Sequence, residues 1–176
     1  MIESKVSDDA RINLIKGDLT NLEVEAFVFY ARPDLALGSG FGNAISMRGG
    51  PTIKQELDKA EKISMSETFI SEAGELKAKF IVHAVGPAFL EENFEGKLKT
   101  TIENTLKCAE AKGITQLAFP PMGAGFYGIP LPVCAKIMVE TINNYLSNKT
   151  GLKEVIICAA DDREYKPFAD VLANKS

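Results

Sequence analysis

Two glycine-rich segments contain the residues of this chain best suited to chemistry. The first is LALGSGFGNAI (Leu35–Ile45), in which Gly38, Gly40 and Gly42 are spaced by two residues and a helical pattern begins near Asn43. Glycine lets the backbone adopt positive φ and approach a phosphate, and a helix N-terminus adds free N–H groups. The segment lacks both the GxGxxG fingerprint and the Lys-Ser/Thr of a P-loop. A phosphate-binding loop and a tight strand-to-helix turn therefore both stay open.

The second segment is FPPMGAGFYGIPL (Phe119–Leu131). Its small residues leave the backbone bare, and two aromatic side chains follow them directly; in order they are Gly123, Ala124, Gly125, Phe126 and Tyr127. Small residues beside aromatic rings suit a diphosphate that lies between a base and a sugar. The alternative is an ordinary turn with two core aromatics.

A third candidate lies near the start of the chain, in Lys16–Thr20. The carboxylate of Asp18 can accept a hydrogen bond from the amino group of an adenine. Asp, Thr and Asn cluster here, however, and they also favour an N-cap or an Asx-turn. Without further context, the sequence favours the cap or the turn.

The elements that must position these segments alternate between strand and helix patterns. Predicted strands cover 11–17, 25–30, 68–72, 80–85, 116–119 and 154–159; predicted helices begin near 43 and cover 51–63, 94–112, 132–146 and 164–172. Several strands are apolar throughout, which favours an α/β fold with a largely parallel sheet covered on both faces. Ligands of such sheets collect beyond the carboxyl ends of the strands, where both glycine-rich segments lie.

Two helical patterns also predict which side chains face inward. In 94–112 they are Leu98, Ile102, Thr105, Leu106 and Ala109, and in 132–146 they are Val133, Ile137, Val139, Ile142 and Leu146. The chain shows no repeat and no linker-like stretch, so residues 1–176 are interpreted as a single domain.

The net charge and the lengths of the apolar stretches indicate which classes of partner this chain can have. The net charge of −4 argues against nucleic-acid binding, so an anionic ligand would have to be held locally, by backbone N–H groups. No stretch approaches the roughly 20 apolar residues of a membrane span, and the first residues do not have the pattern of a signal peptide. We therefore expect a cytoplasmic protein with no membrane partner.

The neighbours of six other side chains predict whether each lies in the core or in the cleft. Cys108, Cys134 and Cys158 lie on apolar faces and are expected to pack in the core. With a single histidine and no CxxC pair, the sequence predicts no metal and no cofactor, and His83 is expected to be a buried structural residue. Strand alternation places Phe29 in the core, whereas Phe41 lies between loop glycines and is expected in the cleft.

The order and spacing of these segments resemble the macrodomain family, of the Appr-1-p processing type. The resemblance covers nearly the whole chain and rests on 17–20, 26–30, 38–45, 81–87 and 119–130, of which the last two are the most specific. It implies a three-layer αβα sandwich around a mixed, mostly parallel sheet. The ligand that it implies is ADP-ribose, free or attached to a protein, or a related metabolite.

The resemblance also implies roles for individual residues. Asp18 would bind the adenine amino group, the Gly38–Gly42 and Gly123–Tyr127 loops would clasp the diphosphate, and Phe126 and Tyr127 would border the distal ribose. The implied ligand-binding set is Asp18, Leu19, Arg32, Gly38, Gly40, Phe41, Gly42, Gly123, Ala124, Gly125, Phe126 and Tyr127.

The chain departs from the family pattern at its catalytic positions. Catalytic members have an Asn-Ala-Ala-Asn run where this chain has Phe29–Arg32, so the amide that meets the distal ribose is replaced by the guanidinium of Arg32. The acidic residue and the histidine of many hydrolytic members correspond to Gly42 and Ser46. The aromatic residue that packs on the adenine corresponds to Ala160.

Three hypotheses follow. The first, which the lost amide and carboxylate favour, is a binding module for ADP-ribose or an ADP-ribosylated protein. The second is a hydrolase of ADP-ribosyl esters or of ADP-ribose 1″-phosphate that uses other residues, with Arg32, Asp34 and Tyr127 as candidates. The third is a cleft adapted to another nucleotide, because Arg32 could pair bidentately with an extra phosphate.

Overall fold

The computed structural model describes residues 1–38 and 40–175; Ser39, in the first predicted loop, and Ser176 lie outside the described residues. The strands are β1 (Ile2–Lys5), β2 (Arg11–Lys16), β3 (Ala26–Tyr30), β4 (Thr68–Glu72), β5 (Phe80–Ala84), β6 (Gln116–Phe119) and β7 (Glu154–Ala159). They form one sheet in the order β1-β2-β7-β6-β3-β5-β4. The five inner strands pair in parallel, and β1 and β4 pair antiparallel at the edges. The prediction of a mixed, mostly parallel sheet is confirmed.

Helices cover both faces of this sheet. They are α1 (Phe41–Gly49), α2 (Pro51–Asp58), α3 (Phe94–Ala111), α4 (Leu131–Leu146) and α5 (Asp162–Ala173), with a 3-10 turn at Leu19–Asn21. Successive strand residues point to opposite faces, so the buried side chains divide into two clusters. Val28 and Val82 pack with α3, α4 and α5, whereas Phe27 and Ile81 pack with α1 and α2. The predicted αβα sandwich is confirmed.

One strand was missed, and several element ends differ from the sequence prediction, mostly by one or two residues. β1 was missed, because a four-residue edge strand with alternating half-exposed positions has little apolar signal. α1 begins at Phe41 rather than near Asn43, since Gly40 takes the N-cap position with a φ of 61°. α2 ends at Asp58 rather than near Ile63, whose N–H instead donates to the carbonyl oxygen of Pro33 at 3.0 Å.

The inward face of α3 was predicted correctly, but that of α4 was partly wrong. All five predicted residues of α3 are buried. In α4, Val133 and Ile137 are only partly buried, and the buried side of the helix also includes Cys134, Ala135 and Met138. α4 packs between α3 and α5 as well as on the sheet, so its buried face is wider than a single stripe.

His83 lies in the core, as the sequence predicted. Its Nε2 is 2.8 Å from the hydroxyl oxygen of Ser71, and its ring packs between those of Phe29 and Phe69. Nδ1 has no hydrogen-bond partner among the described residues. Burial lowers the pKa of His83 to about 4, so the ring is neutral at physiological pH.

The strand order decides which chain segments meet at the carboxyl edge of the sheet. β2, β7, β6 and β3 are consecutive and parallel, so the residues that follow them lie side by side. The residues after β2 and those after β3 are three strand spacings apart, roughly 14 Å. This edge is therefore wide enough for an elongated ligand.

Candidate functional site

A cleft of about 730 Å³ lies at this carboxyl edge, a size typical of small-molecule sites. The segments that follow all four consecutive strands contribute to it. All the ligand-binding residues predicted from the sequence line the cleft except Ala124, which is half-buried and packs against the core. The lining residues are Gly17, Asp18, Leu19, Phe29, Tyr30, Arg32, Leu37, Gly38, Gly40, Phe41, Gly42, Pro120, Pro121, Gly123, Gly125, Phe126, Tyr127, Cys158, Ala160 and Glu164.

The first glycine-rich loop leads from β3 into α1. Gly38 and Gly40 have φ values of 69° and 61°, in the left-handed region that favours glycine. Among the residues that the structure describes, no side chain caps the N-terminus of α1, and a Cβ atom at Gly40 would meet none of their atoms within 4 Å. The first N–H groups of a helix have no intrahelical acceptor, so this turn is suited to an anion.

Gly42 leaves no room for a side chain. A Cβ atom built at this position would overlap the carbonyl oxygen of Leu37, which packs directly against the Cα of Gly42. By the resemblance described above, many hydrolytic members have an acidic residue at this position. Here the backbone of the same loop leaves no space for its side chain.

The second glycine-rich loop leads from β6 into α4. Gly123 and Gly128 have φ values of 76° and 78°, and the turn is held by two hydrogen bonds, Gly128 N to Gly125 O at 3.0 Å and Ile129 N to Gly123 O at 2.9 Å. A Cβ atom at Gly125 would meet open space. Since α1 and α4 cover opposite faces of the sheet, the two loops flank the cleft from opposite sides.

Aromatic rings line both sides of the cleft. Phe41 stacks on Phe29 with ring centroids 5.9 Å apart, and Tyr127 packs edge-to-face on Tyr30 at 4.8 Å. Phe29 is buried, as predicted, but its ring also reaches the cleft. The side chain of Phe126 is 98% exposed at the rim.

Asp18 lies at one end of the cleft, and its interpretation as an N-cap is confirmed, whereas its contact with an adenine stays a prediction. It is the N-cap of the 3-10 turn, and its Oδ1 accepts hydrogen bonds from the backbone N–H and the hydroxyl of Thr20 at 3.0 and 2.7 Å. It also lines the cleft. The hydrogen bond from Arg48 to Oδ2 is the main reason why the pKa of Asp18 is lowered, so the carboxylate is ionised.

Arg32 lies at the other end, after β3. Its Nη2 donates to Asp34 Oδ2 at 2.9 Å, and about half of each side chain is exposed. The other oxygen of Asp34 accepts from the N–H of Ala36 at 2.9 Å, and this bond is the main reason why the pKa of Asp34 is lowered. Asp34 does not line the cleft. Burial raises the pKa of Tyr127, so its phenol is a hydrogen-bond donor rather than a base.

Sequence reasoning missed two cleft residues, Cys158 in β7 and Glu164 after it; β7 lies between β2 and β6. Cys158 was assigned to the core; it is buried, but it also lines the cleft, and burial raises the pKa of its thiol to about 11. Glu164 lines the cleft and accepts a hydrogen bond from the N–H of Ala160 at 2.7 Å. The Asp161-x-x-Glu164 spacing is a helix-capping signal, but nothing in it indicates which strands are neighbours.

The environments of Cys158 and Asp34 are poorly suited to nucleophilic or general-base chemistry. A protonated thiol is a poor nucleophile, and both oxygens of Asp34 are already hydrogen-bonded. Over residues 1–38 and 40–175, no group of three or more His, Cys, Asp or Glu side chains could hold a metal ion. Within the same residues, every helix is too short or too polar to cross a bilayer.

Comparison with curated proteins identifies relatives that align with this chain over about nine-tenths of both lengths. An uncharacterized protein of Saccharolobus solfataricus is 37% identical over 164 residues, which cover 91% of each chain. A macro domain-containing protein of Caldanaerobacter subterraneus is 34% identical over 165 residues, 90% of this chain and 94% of the relative. A protein of Cronobacter sakazakii named O-acetyl-ADP-ribose deacetylase is 32% identical over 168 residues, 92% of this chain and 93% of the relative.

Solved structures share the fold. The Oceanobacillus iheyensis macrodomain with ADP matches with a TM-score of 0.92 at 24% identity, covering 98% of this chain and 95% of that one. The Trypanosoma brucei macrodomain in complex with ADP-ribose matches with a TM-score of 0.84 at 24% identity, covering 90% and 68%. The family model of the macro domain matches residues 31–138, from the end of β3 into α4. With this match and relatives more than 30% identical over nine-tenths of its length, the chain belongs to the macro domain family.

Proposed function

We propose that this chain binds ADP-ribose or a close derivative, free or linked to a protein, in the cleft between its two glycine-rich loops. The observation that carries the proposal is that the N-terminus of α1, which no side chain within 1–38 and 40–175 caps, lines the same cleft as the bare backbone of Gly123 and Gly125. Backbone N–H groups on both sides suit a diphosphate. The base would lie toward Asp18 and the distal ribose toward Arg32 and Tyr127.

The named relatives support the same class of ligand. One is named for the deacetylation of O-acetyl-ADP-ribose, and the solved macrodomains with the same fold contain ADP or ADP-ribose. We also propose that residues 1–176 form one macrodomain: β7 and α5 lie outside the family match, but β7 pairs with β6 and α5 packs on α4, both within it or overlapping it, and β1 and β2 continue the same sheet. A cytoplasmic location and an absence of nucleic-acid partners stay predictions.

We propose that the chain recognises this ligand rather than hydrolysing it. Arg32 replaces the amide of the catalytic run, Ser46 replaces the histidine, and Gly42 has no space for a carboxylate. The remaining candidates are poorly suited to proton abstraction, because Asp34 is engaged by Arg32 and Ala36.

The test of binding is a calorimetric titration of the full chain with ADP-ribose, with ADP as a shorter ligand. We expect heat of binding for both, and tighter binding of ADP-ribose. If millimolar ADP-ribose produces no heat of binding, the proposal is refuted.

A hydrolase is the second candidate, and the deacetylase name of one relative favours it. Its test is incubation with O-acetyl-ADP-ribose, ADP-ribose 1″-phosphate and a mono-ADP-ribosylated protein, followed by measurement of released product. We expect no turnover. Turnover that disappears in Asp34→Ala or Tyr127→Phe would establish an enzyme and overturn the preference for a binding module.

A further inference from the structure

A hydrogen-bonded network behind the cleft holds Asp18. Arg48 Nη1 donates both to Asp18 Oδ2 and to the hydroxyl oxygen of Thr20, the latter at 2.6 Å, and the Thr20 hydroxyl in turn donates to Asp18 Oδ1. Arg48 is not one of the residues that line the cleft. It therefore acts on a bound ligand through Asp18.

The network limits what Asp18 can accept from a ligand. An ionised carboxylate has about four acceptor sites, two on each oxygen. Thr20 uses both sites of Oδ1, through its backbone N–H and its hydroxyl, and Arg48 uses one site of Oδ2. Counting the hydrogen bonds of the described residues, one acceptor site of Asp18 remains for a ligand, and Asp18 lines the cleft. A single acceptor site fits one N–H of an exocyclic amino group.

We propose that Arg48 is a positioning residue, which orients Asp18 so that the cleft selects a base with an exocyclic amino group. The inference rests on the proposed ADP-ribose binding. The terminal torsion of an aspartate is broad, so the carboxylate needs contacts on both oxygens to keep one orientation. Thr20 supplies the contact on Oδ1, and Arg48 supplies the contact on Oδ2.

The position of Arg48 on α1 gives this contact a second effect. α1 begins at the first glycine-rich loop and has nine residues, with Arg48 in its last turn. Its length of roughly 13 Å separates the proposed diphosphate site from the network. The Arg48–Asp18 ion pair thus links the helix that carries the phosphate loop to the residue that reads the base, and it sets the spacing between the two.

The experiment compares ADP-ribose with the analogue whose purine carries hydrogen in place of the 6-amino group. Loss of a hydrogen bond to a charged acceptor should weaken binding to the wild-type chain by roughly ten-fold or more. In Arg48→Ala this preference should fall toward equality, while the affinity for the deamino analogue stays unchanged. Arg48→Lys should restore part of the preference, because a lysine can reach Asp18 with a single donor.

Two further variants complete the experiment. Thr20→Val removes the hydroxyl from the same network and should also reduce the preference, which keeps the inference testable if Arg48→Ala fails to fold. Arg11→Ala removes an arginine of similar exposure that is ion-paired far from the cleft, and it should retain the wild-type preference.

The outcomes separate the two proposals. If the wild type binds neither ligand, the proposed function fails. If it binds ADP-ribose but Arg48→Ala keeps the preference, increases it, or weakens both ligands equally, the role of Arg48 is overturned and the proposed function stands.

Discussion

Arg32 is the residue at which this chain differs most in chemistry from the catalytic family pattern. It lies at the end of the cleft opposite Asp18, and its ion pair with Asp34 is half-exposed. An exposed pair joined by one hydrogen bond contributes little to stability, unlike the network in which Arg48 bonds both Asp18 and Thr20, so we expect a phosphate that offers two oxygens to displace the carboxylate. We therefore expect the guanidinium to recognise an anionic group on the distal ribose of the proposed ligand.

The first prediction concerns this residue. Arg32→Gln should lower the affinity for ADP-ribose 1″-phosphate by roughly ten-fold or more, because a charge-assisted bidentate contact is lost. The affinity for ADP, which has no distal ribose, should not change. Calorimetric titration of both ligands measures the difference. Equal losses for the two ligands would mean that Arg32 shapes the cleft and does not read the terminal group.

Asp18 shows that tertiary contacts, and not only the local sequence, decide the role of a side chain. The Asp18–Thr20 spacing by itself indicates an N-cap, and the structure contains that cap. Arg48, which is thirty residues later in the chain, donates a hydrogen bond to Oδ2 of Asp18. Because of this contact, we expect the capping residue to be an oriented acceptor as well. No local pattern in the sequence indicates that contact.

At the scale of elements, the glycines of the two glycine-rich loops have different structural roles. Gly42 is required by packing, because the carbonyl oxygen of Leu37 occupies the place of its Cβ. Gly125 is open to the cleft, and its backbone is not in the left-handed region. The first glycine therefore supports the loop, and the second keeps space for a ligand.

The second prediction uses these glycines as a matched pair. Gly42→Ala should lower the free energy of unfolding by about 2 kcal/mol, since an added methyl group in a packed site forces the backbone to shift. Gly125→Ala should leave the free energy of unfolding within about 0.5 kcal/mol of wild type, as most surface substitutions do, yet weaken ADP-ribose binding. Denaturant unfolding and calorimetry measure the two effects. An unchanged unfolding free energy for Gly42→Ala would contradict the packing argument.

The order of elements along the chain could be predicted from residue patterns, whereas some of their ends could not. β4, β6 and β7 have the predicted bounds, because each is a short apolar or alternating run between breakers. α2 ends early because the N–H of Ile63 bonds to Pro33, a contact between distant segments. Helix ends are decided by such tertiary bonds as much as by local propensity.

At the scale of the whole molecule, the negative net charge of the chain is compatible with an anionic ligand. The chain has a net charge of −4, and yet its cleft is suited to an anion. Backbone N–H groups and a helix N-terminus provide partial positive charge at one place without a basic surface. An acidic protein can therefore bind a diphosphate locally.

The third prediction concerns global stability and follows from His83. Its folded-state pKa is lowered to about 4, below the value of 6.5 expected for an exposed imidazole. The unfolded chain therefore binds a proton that the folded chain does not, and stability falls as the pH drops from about 6.5 to about 4. At about pH 5 the loss from this group should be about 2 kcal/mol.

Denaturant unfolding of wild type and His83→Gln at neutral pH and at about pH 5 measures this effect. Other titrating groups are common to both proteins, so they cancel in the difference between the two unfolding free energies. The advantage of wild type over the variant should shrink at the lower pH. A difference that is the same at both pH values would show that His83 does not control the acid response.

The sequence by itself determined the alternation of strands and helices, the α/β class and the two glycine-rich loops, because hydrophobic period and glycine spacing are local properties of a chain. The tertiary structure alone decided that β7 lies between β2 and β6, which brings Cys158 and Glu164 into the cleft. Strand order and the Arg48–Asp18 contact depend on pairing between distant segments, and such pairing leaves no periodic signal in either segment alone.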